Sequence, residues 1–281
     1  MGEFWTGNRR SVLRLVLASL FAGAARAVAK PQPSWCARYR VNATVIVACV
    51  PIFSKQNVGG AQLSVEQSGE KNSTQTRLEF AAGTWPERLR GFNRFGATRE
   101  TVREENCTVA ESSYVSFMAS SREKNFSEAR KAFADSPDAV PLTIARGIST
   151  HAGCTFAIEH CAAPANSSWR NCLELTNTFD RFPLSPATQP EGFSGQALPT
   201  FLFAVRNAML ARTPETTTPY VHNGQIYHLH ARSNGEAVTC RISGQTEFKL
   251  WFGASDRTGL PTKIEFRPKS FLKLTLEQEQ G

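Results

Sequence analysis

The sequence predicts a mainly β (α+β) protein: one large, strongly curved antiparallel sheet or half-barrel with one or two short helices packed in its concavity. Three observations carry this. Runs in which apolar and polar residues alternate recur along the chain, and a period of two is that of a half-buried strand. Turn-forming stretches join these runs with few helical crossovers, which is the pattern of an antiparallel meander. The most legible helix, Leu198 to Arg212, carries Leu198, Phe201, Leu202, Val205, Ala208 and Met209 on one stripe, suited to lie against a sheet.

Taken in order, the chain opens with NRRSVLRLVLASLFAGAARAVA, a basic start, an apolar run from Leu15 to Ala25 and small residues at Ala25, Ala27 and Ala29. These are the parts of a cleaved export signal over residues 1–29, leaving residues 30–281 as a single β-rich domain. Arg9-Arg10 resembles the twin-arginine export motif, with Asn8 where Ser or Thr is usual. The apolar run is shorter than the roughly 20 residues a spanning helix needs, and no later stretch is long and apolar enough to be one. An exported location, periplasmic or extracellular, is therefore expected.

Composition agrees with a folded chain: of 281 residues 41% are hydrophobic and 20% charged. The formal charge is +8, of which Arg9, Arg10, Arg14 and Arg26 against Glu3 account for +3. The seven cysteines, at 36, 49, 107, 154, 161, 172 and 240, all follow the signal. In an oxidising compartment they are expected to pair and leave one over, Cys36 with Cys49 and two of Cys154, Cys161 and Cys172. Asn-x-Ser/Thr sequons stand at Asn42, Asn72, Asn106, Asn125 and Asn166.

Tyr39 to Val50 alternates and is rich in β-branched residues, so a strand is expected, closed by Pro51 and a turn at Gly59-Gly60. Ala61 to Gln67 and Gln75 to Ala82 read as the next two strands. Trp85 to Arg99 interleaves Trp85, Phe92 and Phe95 with Arg88, Arg90, Arg94 and Arg99. Such interleaving occurs on single-strand nucleic-acid surfaces. It also arises when rings face inward from strands with basic outer faces, and with an export signal no nucleic acid is expected. A strand at SSYVSFMASS, a short helix at Phe126 to Asp135 and strands at Val140 to Ile148 and Thr155 to His160 follow. An irregular covering loop is expected over about 161–196. After the helix, Tyr220 to Arg232, Ala237 to Ile242 and Thr246 to Phe252 read as strands, with a hairpin turn at Asn234-Gly235. Leu260 to Glu277 is then a hairpin turning at Pro268-Lys269, completing a helix plus meander over 197–278.

The helix ALPTFLFAVRNAML, the runs GQIYHLHAR and FKLWFGASDRTGLPTKIEF and the final LKLTLE resemble an uncharacterised family of bacterial envelope proteins known only as a domain of unknown function. YRVNATVIVACVPIF and FAAGTWPERLRGFNRFG look similar to its earlier strands. The resemblance implies a curved sheet with helices in its concavity, similar to the lipoprotein-carrier half-barrel, and no catalytic residues.

Signatures of chemistry are sparse. There is no Gly-x-Ser-x-Gly, no phosphate loop and no His-Glu-x-x-His, so an enzyme is not expected and no cofactor is implied. His228 and His230, two apart on a strand, with His222 across a hairpin, have a spacing that a metal could use; isolated surface histidines read the same way. His151, Cys154, His160, Cys161 and Cys172 lack Cys-x-x-Cys pairs.

The expected function is non-enzymatic binding of a hydrophobic or lipid-like ligand on the concave face. Its expected lining is Phe248, Leu250, Phe252, Ile264, Phe266, Leu272 and Leu274. The alternative is a structural or protein-binding envelope component using Trp85, Arg88, Arg90 and Arg94 as its contact surface. A His-dependent metalloenzyme is a third reading.

Overall fold

The computed structural model describes residues 34–47, 50–70, 72–90, 92–120, 140–164, 166–179, 183–211, 213–242, 247–253 and 258–279. The export signal, Cys49 and the helix expected at Phe126 to Asp135 lie outside them. The described chain forms thirteen strands and two helices. The first seven strands are β1 (Ser34–Val47), β2 (Val50–Glu70), β3 (Ser73–Thr84), β4 (Arg94–Glu105), β5 (Thr108–Ser120), β6 (Val140–Thr150) and β7 (Gly153–Ala163). Helices α1 (Cys172–Phe179) and α2 (Phe201–Ala211) follow. The chain ends with β8 (Glu215–His222), β9 (Gln225–Ser233), β10 (Ala237–Ile242), β11 (Glu247–Trp251), β12 (Lys263–Lys269) and β13 (Leu272–Gln278).

All thirteen strands join one antiparallel sheet in the order β7-β6-β5-β4-β3-β2-β1-β13-β12-β11-β10-β9-β8. Two meanders therefore meet where the first strand pairs with the last, Val41 opposite Leu276 and Ala43 opposite Leu274. The free edges, β7 and β8, approach one another and nearly close a barrel. The Tyr114 hydroxyl accepts from the Asn223 N–H at 2.6 Å, and the Phe156 ring of β7 packs on Gly224 in the β8–β9 turn. Segment 197–200 fills the gap: the Leu198 N–H donates to the Ser149 hydroxyl at 3.0 Å, the Ser112 hydroxyl to the Leu198 carbonyl at 2.6 Å, and the Val221 N–H to the Pro199 carbonyl at 3.0 Å. Thr188 blunts the β7 edge by exchanging two 2.8 Å backbone bonds with Cys154, which removes a template for unwanted pairing.

The curved antiparallel sheet with a short helix in its concavity is thus as expected, and a second helix lies outside it. Helix α2 lies inside, its Phe203 packed with Val65, Leu78 and Leu276 and its Ala204 and Ala208 with Leu229, Val238 and Leu250. Helix α1 lies on the other face of β3–β5, where Cys172 and Phe179 pack on Phe95, Phe117 and Leu142. This part of the sheet is covered on both sides, because Phe95, Ala97 and Phe117 alternate with the inward Glu100, Ser112 and Tyr114 on the same strands. The covering loop of 161–196 accordingly contains a helix.

Three turns also differ from expectation. Gly59-Gly60 sits inside the continuous β2, where an ideal Cβ at Gly60 would lie 2.3 Å from the Trp169 ring and one at Gly59 2.0 Å from the Gly83 carbonyl oxygen. These glycines serve close packing; the local irregularity is at Asn57, with φ 53°, whose N–H donates to Asn42 Oδ1 at 2.8 Å. Tyr220 to Arg232 is two strands, broken at Asn223-Gly224 with φ of 49° and 69°, the signature of a two-residue hairpin. The last hairpin turns at Ser270-Phe271, two residues after the expected Pro268-Lys269.

The expected bridge between two of Cys154, Cys161 and Cys172 is absent; these and the other described cysteines are free thiols. Cys154 and Cys161 stand seven residues apart on one strand, so they face opposite sides about 23 Å apart, far beyond disulfide reach. Cys172 is on α1, its thiol donating to the Trp169 carbonyl at 3.1 Å, and burial pushes it up to about 12.

Candidate apolar cavity

Alternation on β11 and β12 turns Phe248, Leu250, Ile264 and Phe266 inward, in register as Phe248 opposite Phe266 and Leu250 opposite Ile264. Across the concavity β2 and β3 present Leu63 and Val65 opposite Phe80 and Leu78. Helix α2 does not fill the space between. It leaves a cavity of about 460 Å³, bordered by Phe201, Leu202, Val205 and Met209 of the helix and by Gly259 and Pro261. Volume and lining are those of a small-molecule pocket.

The segment 258–261 is tied down at two points: the Tyr39 hydroxyl donates to the Pro261 carbonyl at 2.7 Å and Arg206 Nε to the Thr258 carbonyl at 3.3 Å. Arg206 is the one charged side chain among the described lining residues and is buried. Burial pulls its guanidinium below the usual arginine range, and attraction to Glu104 opposes this. At the N-terminus of α2 the carboxyl of Glu100, fully buried on β4, accepts the N–H groups of Leu202 at 3.0 Å and Phe203 at 3.2 Å. It thereby satisfies donors that a helix N-terminus leaves open. Burial pushes Glu100 up to about 7, while the nearby Thr200 hydroxyl and the two backbone bonds hold it lower than burial alone would.

Of the expected lining, Phe248, Leu250, Ile264 and Phe266 border the cavity. Phe252 packs beside α2 in the core next to it, Leu274 packs on the inner face of β13, and Leu272 is half-buried at the start of β13, opposite Val45 of β1. Arg206 and Glu100 were not among the expected site residues. Arg206 carried a signal, since it falls four residues after Leu202 and three before Met209, on the apolar stripe itself. Glu100 carried less, because both faces of β4 mix polar and apolar residues.

The other expected sites fare differently. His222 is on the inner face, its ring 5.0 Å from that of Tyr114, and burial holds it below the usual histidine range. His228 and His230 flank the inward Leu229 and face outward, so the three imidazoles do not converge. No group of three or more potential metal ligands occurs among the described residues. Trp85 is half-buried: its indole donates to Asn57 Oδ1 at 3.1 Å, meets Trp169 edge-on at 5.0 Å and has the Arg170 guanidinium 4.1 Å from the centre of its ring. Arg88 and Arg90 are exposed in the following turns and Arg94 at the start of β4.

The fold and cavity define a nearly closed, β-barrel-like protein. No family model matches the chain, and no curated protein matches it. Among solved structures the chain is similar to a beta-barrel-like protein of Domain of Unknown Function DUF1849 from Brucella abortus, with 7% sequence identity over 90% of this chain and 98% of that chain and a TM-score of 0.40.

Proposed function

We propose that this is an exported, non-enzymatic binding protein that carries a hydrophobic or lipid-like molecule in the cavity between α2 and the concave sheet. The observation that supports the reading is a preformed space of about 460 Å³ lined by aliphatic and aromatic side chains. Each methylene moved from water into such a lining contributes about 0.8 kcal/mol, so a chain of about ten gives roughly 8 kcal/mol. That is enough to offset several kcal/mol of lost freedom. Arg206 favours ligands with one anionic group, because a buried guanidinium gains a charge-assisted partner on binding. Export is supported by the composition of residues 1–29.

The test is native mass spectrometry of protein purified from its host, followed by titration with the neutral probe N-phenyl-1-naphthylamine and with palmitate. Expected are an adduct that partitions into organic solvent, saturable probe uptake and competition by palmitate. Ile264→Trp, which fills the cavity, should abolish uptake, and Arg206→Leu should weaken palmitate about tenfold while sparing the neutral probe. A bare polypeptide mass with no probe uptake overturns the reading.

A further inference from the structure

The β1–β2 hairpin runs past the rest of the sheet. Its last rungs pair Val45 with Phe53, Ile46 with Pro51 and Val47 with Val50, and every residue from Val50 to Gln56 is exposed. The β12–β13 turn lies alongside, the Ile46 N–H donating to the Phe271 carbonyl at 2.8 Å. At this end Val47, Val50, Ile52, Phe53 and Phe271 are each more than half exposed. The other large exposed hydrophobics among the described residues, Met118, Ile158 and Leu210, lie on β5, β7 and α2. Single exposed apolar residues are ordinary; five on one protruding end are not.

Behind this apolar tip stands a collar of cations. Lys55, Arg267 and Lys269 are exposed on the hairpin and the neighbouring strand end, and Arg88 and Arg90 on a loop held to the hairpin by a 2.6 Å bond from Lys55 Nζ to the Arg88 carbonyl. Residues 44–55 and 266–274 contain no Asp or Glu, and Glu87 of the loop lies 3.6 Å from Arg170. At the opposite end of the sheet β4 and β5 carry Glu105 and Glu111 around Arg103.

We propose that this end docks on an anionic phospholipid bilayer, with the hairpin tip dipping into the acyl boundary and the collar resting among the headgroups. The layering argues for a bilayer over a protein partner. Apolar side chains project from both faces of a two-stranded ribbon, with no flat surface to mate. Lys55 follows Phe53 by two residues, about 7 Å along a strand, and interfacial segments bury their apolar part about 5–10 Å deep. Basic side chains at that level meet the negative surface potential of acidic lipids. The inference stands independently of whatever occupies the cavity.

Vesicle flotation of the protein purified from its host tests it, using phosphatidylcholine with and without phosphatidylglycerol. The protein should float with the acidic vesicles and be released by added salt, since the attraction is screened. Ile52→Ser combined with Phe53→Ser should lower the bound fraction about tenfold, with Phe271→Ser as a milder second variant. Lys55→Gln with Lys269→Gln should remove the preference for phosphatidylglycerol. Circular dichroism and uptake of the cavity probe should be unchanged, which separates docking from lipid uptake. Flotation of the tip variants equal to that of the original chain overturns the proposal, as does failure of the original chain to float. A dimer in ultracentrifugation that the same substitutions dissociate also overturns it, assigning the tip to a second copy.

Discussion

At the residue scale the cavity places a buried guanidinium in the middle of α2 and a buried carboxyl at its N-terminus, and the carboxyl makes a pH-dependent prediction. Glu100 stands at about 7 in the folded chain against an ordinary 4.5. Between those values the native state holds a proton that the unfolded chain has lost, so stability from this group is greatest below pH 4.5 and falls as pH rises through 7. The difference of about 2.5 units corresponds to roughly 3 kcal/mol as an upper figure. Glu100→Gln keeps one acceptor oxygen where the carboxyl offers the Leu202 and Phe203 N–H groups two, and removes the titration. Urea denaturation should find the variant more stable at pH 8, with the gap to the original chain closing by pH 5. Equal pH slopes would show that the carboxyl is solvated. Phe248, Leu250, Ile264 and Phe266 could be read from the sequence because a period of two assigns a face without knowledge of the partner strand. Glu100 could not, because what makes it special is a helix about a hundred residues away.

At the element scale strand existence was legible and strand ends were not. Alternation marks a strand wherever one face is wet, but Gly59-Gly60 has the same appearance in a turn and in a tightly packed strand. Only the Trp169 ring, arriving from the segment before α1, distinguishes them. Helix α1 escaped notice because it has eight residues, too few for a periodicity, and because the irregular prolines after it dominate its surroundings. The contact between Gly60 and Trp169 gives the element its register on the sheet. Gly60→Ala should cost about 1–3 kcal/mol by overpacking. Trp169→Leu in the same chain should recover part of that loss, so that the two changes are non-additive in urea denaturation. Additive costs would mean that α1 docks without this contact. The expected bridge between two of Cys154, Cys161 and Cys172 failed for a related reason. Short separation in sequence favours closure only when the chain between is not extended, and Cys154 and Cys161 lie on one straight strand.

At the scale of the whole molecule, two meanders of local hairpins share one strand pairing, that of β1 with β13, more than two hundred residues apart in sequence. The curved sheet could be read from hairpin after hairpin, but this seam could not, since nothing local marks the first strand as partner of the last. Its energetic role follows from the core: Val41, Leu276, Tyr39 and Phe203 pack in one cluster, so β13 carries part of the surface on which α2 rests. Closing such a long loop is entropically costly before its contacts repay it, which places folding in the slow range of β topologies, about milliseconds to seconds. Leu276→Ala should therefore lower stability by about 2–5 kcal/mol while leaving one cooperative transition. Ending the chain after Ser270 should do more, because it exposes β1 and β12 as two new edges in the middle of the sheet and opens one wall of the cavity. The expected result is a truncated chain that loses its sharp urea transition and its near-ultraviolet dichroism and binds anilinonaphthalene sulfonate diffusely. If the truncated chain instead unfolds in one sharp step and still takes up N-phenyl-1-naphthylamine saturably, the two meanders fold as separate units and the cavity belongs to α2 and the second of them.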